Sequence, residues 1–197
     1  MKKILSIIPA IVTAAFLTIS CGKADPTPAP TPTPTPTPTT EDCTYHVDFS
    51  ISITEDMQKL FDFTGSKFIC GSTETDFGDL LSFSSGFSAL NVNGDAPCNT
   101  SYKLVLIPKK DFEPVSGKTY DVITEISYKI TTVSKTSGKT VSSVIKPDGI
   151  SIKGVDFSEA KEKGYSVEKV LNTLKNSAES SLSFSISKDG SIQQLFQ

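Results

Sequence analysis

"YHVDFSISIT", residues 45–54, sets Tyr45, Val47, Phe49, Ile51 and Ile53 in strict alternation with His46, Asp48, Ser50, Ser52 and Thr54. Successive side chains of a strand point to opposite faces, so ten residues of period two predict a strand with one buried and one solvated face. The same pattern returns at Tyr120–Val133. There Tyr120, Val122, Thr124, Ile126, Tyr128 and Ile130 line one face, and Asp121, Ile123, Glu125, Ser127 and Lys129 the other. This segment is expected to be the longest strand.

Between and beyond these two anchors the strand signals are shorter. Phe61–Ile69 reads as a strand returning beside 45–53, with Gly65 as a bulge, and Glu55–Leu60 as a helical turn between them. Leu80–Phe87 is a weaker strand, rich in Ser and Gly, and Tyr102–Ile107 a stronger one that stops at Pro108. "KTSGK" at 135–139 reads as a turn, after which Val141–Ile145 runs back antiparallel to a second turn at Pro147-Asp148-Gly149, and Ile150–Ile152 follows. Ser166 is placed to cap a helix whose Val167, Val170, Leu171 and Leu174 recur at helical spacing. Leu182–Ile186 and Ile192–Phe196, joined through Lys188-Asp189-Gly190, close the chain as a hairpin. The sum is a mainly β chain: an antiparallel β-sandwich, Ig-like or related, of about seven to eight strands with one crossover helix. A half-open barrel would carry the same pattern.

The amino-terminal part follows different rules. Lys2 and Lys3 precede an apolar stretch, Ile4–Ile19, that would span roughly 24 Å as a helix, short of the ~30 Å hydrocarbon core of a bilayer. Residues 1–20 are therefore expected to be a signal peptide. Thr18-Ile19-Ser20-Cys21-Gly22 resembles the lipobox of bacterial lipoproteins, with Thr18 where that pattern usually has Leu, and the resemblance implies Cys21 as the lipidated residue. Thr18 and Ser20 also suit ordinary secretory cleavage. From Gly22 to Asp42 no large apolar residue occurs, and Pro alternates with Thr or Ala from Pro26 to Pro38. Such a segment cannot pack into a core and favours the polyproline II conformation, with a reach of roughly 60 Å. The expected organisation is residues 1–20 as leader, 21–42 as lipid anchor and Thr/Pro-rich spacer, and 43–197 as the β-sandwich domain.

Composition excludes several function classes. All 19 basic residues are Lys, and without the first two the balance is 17 Lys against 22 Asp and Glu, a net charge of about −5. An acidic chain with no Arg is a poor match for nucleic acid or bidentate phosphate recognition, and no nucleic-acid partner is expected. His46 is the single histidine and Trp is absent, which narrows imidazole catalysis and removes indole stacking on sugars. His46 falls on the polar face of its strand and reads as a solvated residue. Glu74, Asp76 and Asp79 form the densest carboxylate cluster but lack the calcium-loop pattern, and "GKT" at 117–119 and 138–140 lacks the glycine spacing of a phosphate loop. No catalytic residue, metal site or cofactor is expected.

With Cys21 assigned to the anchor, Cys43, Cys70 and Cys98 remain, so at most one intramolecular disulfide can form. A hairpin of 45–53 with 61–69 would bring Cys43 beside Cys70, and Cys98 is the alternative partner for either.

"TEDMQKLFDFTG" at 54–65, "SVEKVLNTL" at 166–174 and "LSFSISKDGSI" at 182–192 resemble uncharacterised small lipoproteins of Bacteroidota, which combine a leader, a spacer and a small β-rich domain. The resemblance implies location and fold and carries no functional residue. The expected function is that of a membrane-anchored cell-envelope lipoprotein on the outer membrane, periplasmic or surface-exposed. It would be a monomeric binding module for an unknown protein or glycan ligand. The alternatives are a fimbria-like assembly subunit, which needs an open strand edge, and a cell-surface hydrolase, which needs paired carboxylates.

Overall fold

A computed structural model describes residues 42–195 apart from 84 and 85, all within one compact unit. The expected leader, Cys21 anchor and spacer fall in residues 1–41 and lie outside the described residues. In chain order the elements are β1 (Cys43–Ile53), α1 (Glu55–Leu60), β2 (Phe61–Asp62), β3 (Lys67–Cys70), β4 (Thr73–Asp76), α2 (Gly78–Phe83), β5 (Phe87–Asp95) and β6 (Cys98–Leu104). They continue as β7 (Ile107–Pro108), β8 (Thr119–Ser134), β9 (Thr140–Asp156), α3 (Phe157–Glu162), α4 (Val167–Ala178), β10 (Ser180–Ile186) and β11 (Ile192–Leu195).

Two antiparallel sheets face one another. One has the order β5-β1-β8-β9, the other β11-β10-β6-β3-β4, and β2 and β7 form a separate two-stranded pair. The mainly β, antiparallel sandwich is as expected from the alternation, but eleven strands and four helices are present among the described residues, against the seven or eight strands and one helix expected. In β1 every residue of the odd-numbered face, from Cys43 to Ile53, is buried. In β8 Tyr120, Val122, Thr124, Ile126, Tyr128 and Ile130 are all buried, as their spacing required. β9, at 17 residues, exceeds the 16 of β8 by one.

The ring of Phe49 sits at the centre of the core. Its centroid lies 5.2 Å from those of Phe68 and Tyr102, 5.4 Å from Phe77 and 5.8 Å from Tyr128. Phe68 and Tyr102 come from the opposite sheet, so a single side chain of β1 joins both layers. Polar links cross the same interface. The Thr100 hydroxyl bonds that of Tyr128, Thr132 Oγ1 donates to the Gly190 carbonyl at 2.7 Å, and the Tyr102 hydroxyl donates to Asp148 Oδ2 at 2.5 Å.

Four local expectations are corrected. The hairpin of 45–53 with 61–69 does not form: β1 pairs with β5 and β8, while 61–69 divides at a turn around Gly65. Of its halves, β2 joins β7, and β3 joins β4 and β6 in the other sheet. The helix α1 is what redirects the chain: Thr54 caps it, accepting from the Met57 N–H while its hydroxyl donates to the Asp121 carbonyl at 2.6 Å. Residues 80–83 belong to α2, and the strand begins only at Phe87. Phe77 and Leu81, four residues apart and fully buried, favour the helical turn over extension. Pro147-Asp148-Gly149 is no turn, because β9 runs through it with Pro147 opposite Ser127 and Gly149 opposite Glu125. Finally, α3 precedes the expected helix: Asp156 Oδ1 accepts the N–H groups of Ser158 and Glu159 at 2.7 and 3.2 Å, and Phe157 is buried.

The helix α4 is as its spacing predicted. Ser166 Oγ accepts the Lys169 N–H at 3.2 Å, and Leu171, Leu174 and Ala178 are buried. Together α3 and α4 carry the chain from β9 in one sheet to β10 in the other.

Candidate functional site

Register builds a trough on the outer face of the β5-β1-β8-β9 sheet. One row across its four strands reads Phe87, Ser52, Glu125, Gly149, and the next reads Ala89, Ser50, Ser127, Pro147. Small residues in both rows keep the floor low. The next row carries the larger Asn91, Asp48, Lys129 and Ile145. The resulting cavity has a volume of about 580 Å³, and Ile123, Ser151 and Lys153 also line it.

Its chemistry is hydroxyl-rich and nearly balanced in charge. Ser50, Ser52, Ser127 and Ser151 supply groups that both donate and accept, Glu125 accepts and Lys153 donates. Phe87 at the rim is 52% exposed, an apolar surface beside a polar floor. Gly149 places no side chain opposite Glu125, which leaves that carboxylate open to the trough.

Asp148 also borders the cavity, but its carboxylate turns the other way. Oδ2 accepts from the Tyr102 hydroxyl of the opposing sheet, and Oδ1 accepts the Gly149 N–H at 2.8 Å. Glu125 and Asp148 therefore project to opposite faces and do not form the facing carboxylate pair that glycoside hydrolysis uses. Burial, and then the bond to Asp148, push the Tyr102 phenol well above its ordinary range, so it stays a neutral donor.

The residues singled out in the sequence lie elsewhere. His46 is on the same outer face, two rows beyond the row of Ser50, with Nε2 2.7 Å from Asp48 Oδ1 and Nδ1 against Asn93. Both ring nitrogens are engaged by neighbours on the sheet surface. The acidic segment resolves into two structural roles: Glu74 pairs with Lys67 across β3 and β4, and Asp76 Oδ1 accepts the Gly78 N–H at 2.9 Å at the start of α2. Among the described residues no three His, Cys, Asp or Glu side chains converge as metal ligands. Gly117 and Gly138 of the two "GKT" stretches occupy turns with positive φ, before β8 and β9 respectively.

Of the cysteines, the pair brought together is Cys70 with Cys98, whose Sγ atoms are 3.7 Å apart. Cys43 is not beside Cys70, because the hairpin of 45–53 with 61–69 that would place it there does not form. Cys43 sits instead against the β10–β11 turn, where a Cβ added to Gly190 would lie 2.9 Å from its Sγ.

Sequence reasoning missed the trough because its rows come from four strands. The visible signal was within β1, whose polar face passes from the larger His46 and Asp48 to the small Ser50 and Ser52. No protein-family model, curated protein or solved structure matches the chain.

Proposed function

We propose that the protein is a lipid-anchored binding module of the cell envelope that holds a glycan on the outer face of the β5-β1-β8-β9 sheet. The trough carries this reading. Its serine hydroxyls match sugar hydroxyls in both donor and acceptor sense, and the opposed charges of Glu125 and Lys153 favour a neutral ligand. The exposed Phe87 ring offers the apolar platform for a pyranose face that Trp would otherwise supply.

A microarray of neutral and acidic oligosaccharides probed with the full chain tests the ligand. Binding to neutral sugars is expected, weakened about tenfold by Phe87→Ala, which removes a half-exposed ring at little cost to the fold. Absence of binding, or binding unchanged in both Phe87→Ala and Glu125→Gln, would remove the glycan assignment.

The anchor rests on Cys21 and the spacer that follows it. Cys21→Ala is expected to shift the chain almost entirely from the membrane to the soluble fraction of cells. Retention in the membrane with the leader cleaved would sink this part of the proposal.

One observation favours the assembly-subunit alternative: β9 is a long strand whose one hydrogen-bonded neighbour among the described strands is β8. That edge, however, carries Pro147, Lys146 and Lys153, residue types that discourage strand addition. The core beneath it is filled by the chain's own residues, with Phe49 and Tyr128 at 1% exposure or less.

A further inference from the structure

The strands β3 and β6 are antiparallel neighbours near the centre of the five-stranded sheet, with Cys70 opposite Thr100 and Ile69 opposite Ser101. Cys98 precedes Thr100 by two residues and so shares its inward face. Both cysteine side chains are buried, and their sulfurs are in contact at 3.7 Å. The backbone is pinned beside them, since the Gly71 N–H donates to the Asn99 carbonyl at 2.9 Å. Gly71, at φ +59°, ends β3 next to the pair: a Cβ there would come within 3.5 Å of Cys98 Sγ and 3.6 Å of the Tyr45 hydroxyl.

We propose that Cys70 and Cys98 form the protein's intramolecular disulfide, a site defined by side-chain placement and independent of the ligand reading. Bringing the sulfurs from contact to the roughly 2 Å of a disulfide needs side-chain rotation and a small local shift, with no rearrangement of strand pairing. The oxidant is a disulfide-bearing thiol exchanger. One cysteine thiolate attacks a sulfur of that disulfide, forming a mixed disulfide and expelling one thiolate. The second cysteine thiolate then attacks the first cysteine's sulfur, closes the intramolecular bond and expels the other. The protein loses two protons and two electrons, and the exchanger leaves as two thiols.

Timing follows from burial. In the folded thiol form, burial pushes the Cys70 thiol up to about 11, and Cys98 is only 8% exposed, so both are poor targets for exchange once the sheets have closed. Oxidation therefore accompanies folding. The bond encloses β4, α2 and β5, the segment that supplies an edge strand to each sheet, β4 to the five-stranded and β5 to the four-stranded one, before the chain returns at β6. Edge strands are held on one side only, so a covalent closure of this segment restrains two strands that pairing alone holds on a single side.

Cleavage after lysine leaves both cysteines in one peptide, residues 68–103, while Cys43 falls in residues 24–59. The full chain is refolded with glutathione and glutathione disulfide, denatured, alkylated and digested. Peptide 68–103 is expected to be lighter by two hydrogens and to take no alkyl group, and to take two after prior reduction. Two alkyl groups without reduction, or a cross-link between 68–103 and 24–59, would overturn the pairing. A second readout needs no digestion: the oxidised chain is expected to melt about 10 °C above the same chain kept reduced. An unchanged melting temperature would overturn the restraint on the 70–98 segment.

Discussion

Phe49→Ala is expected to lower the unfolding free energy by about 3–5 kcal/mol, the range for truncating a buried Phe. The ring is 1% exposed and lies within 6 Å, centroid to centroid, of four other rings, Phe68, Phe77, Tyr102 and Tyr128. Two losses combine: the transfer free energy of the ring and the cavity it leaves. The walls of that cavity belong to both sheets, whose separation is held by other contacts such as Tyr128 stacked on Phe184 at 5.3 Å, so collapse can fill it only in part. Urea denaturation gives the value directly, with the midpoint falling and the slope unchanged. A loss under about 1 kcal/mol would mean that the aromatic cluster does not join the two layers.

Gly149→Ala is expected to cost about 3–4 kcal/mol, combining overpacking with the strain of a side chain at positive φ. Gly149 lies at φ +137°, and a Cβ there would stand 2.2 Å from the Thr124 carbonyl oxygen and 3.0 Å from its carbon. These are backbone atoms of the paired strand, so relief requires β8 and β9 to separate. Their separation would also strip the Ile150 N–H from Thr124 Oγ1, at 3.0 Å the local tie between the strands. Gly138→Ala is the matched control: its φ is +67° and nothing lies within 4 Å of the added Cβ, so only conformational strain of about 1–2 kcal/mol is expected. Equal effects of the two substitutions in parallel urea titrations would contradict the close approach at Gly149.

The legible parts of the fold are those in which one strand or helix announces its own buried face. The alternation of Tyr45 to Ile53 and of Tyr120 to Ile130, the capped α4 with Leu171 and Leu174, and the closing hairpin β10–β11 all carry their pattern within a dozen or so residues. Elements without such a pattern differ from their sequence expectation. Residues 80–83 have the composition of an extended segment, and the burial of Phe77 and Leu81 on one side sets them in a helical turn. Pro147-Asp148-Gly149 has the composition of a turn, and only pairing with β8 keeps it in a strand. β5 was not anticipated beyond Phe87, because "NVNGD" at 91–95 is polar and its place at the sheet edge demands little burial.

By itself the sequence determined a mainly antiparallel β chain, the inward faces of its two leading strands and an acidic, arginine-free composition. These follow from local period and composition, which act over a few residues. Tertiary structure alone decided which strands are neighbours, and with that both sites of interest. Phe87, Ser52, Glu125 and Gly149 form one row, and Cys70 meets Cys98 instead of Cys43, only because β1 pairs with β5 and β8 while β3 crosses to β6. The physical reason is that pairing is chosen by how the whole set of apolar faces can be buried together, a condition that no single stretch of the chain contains.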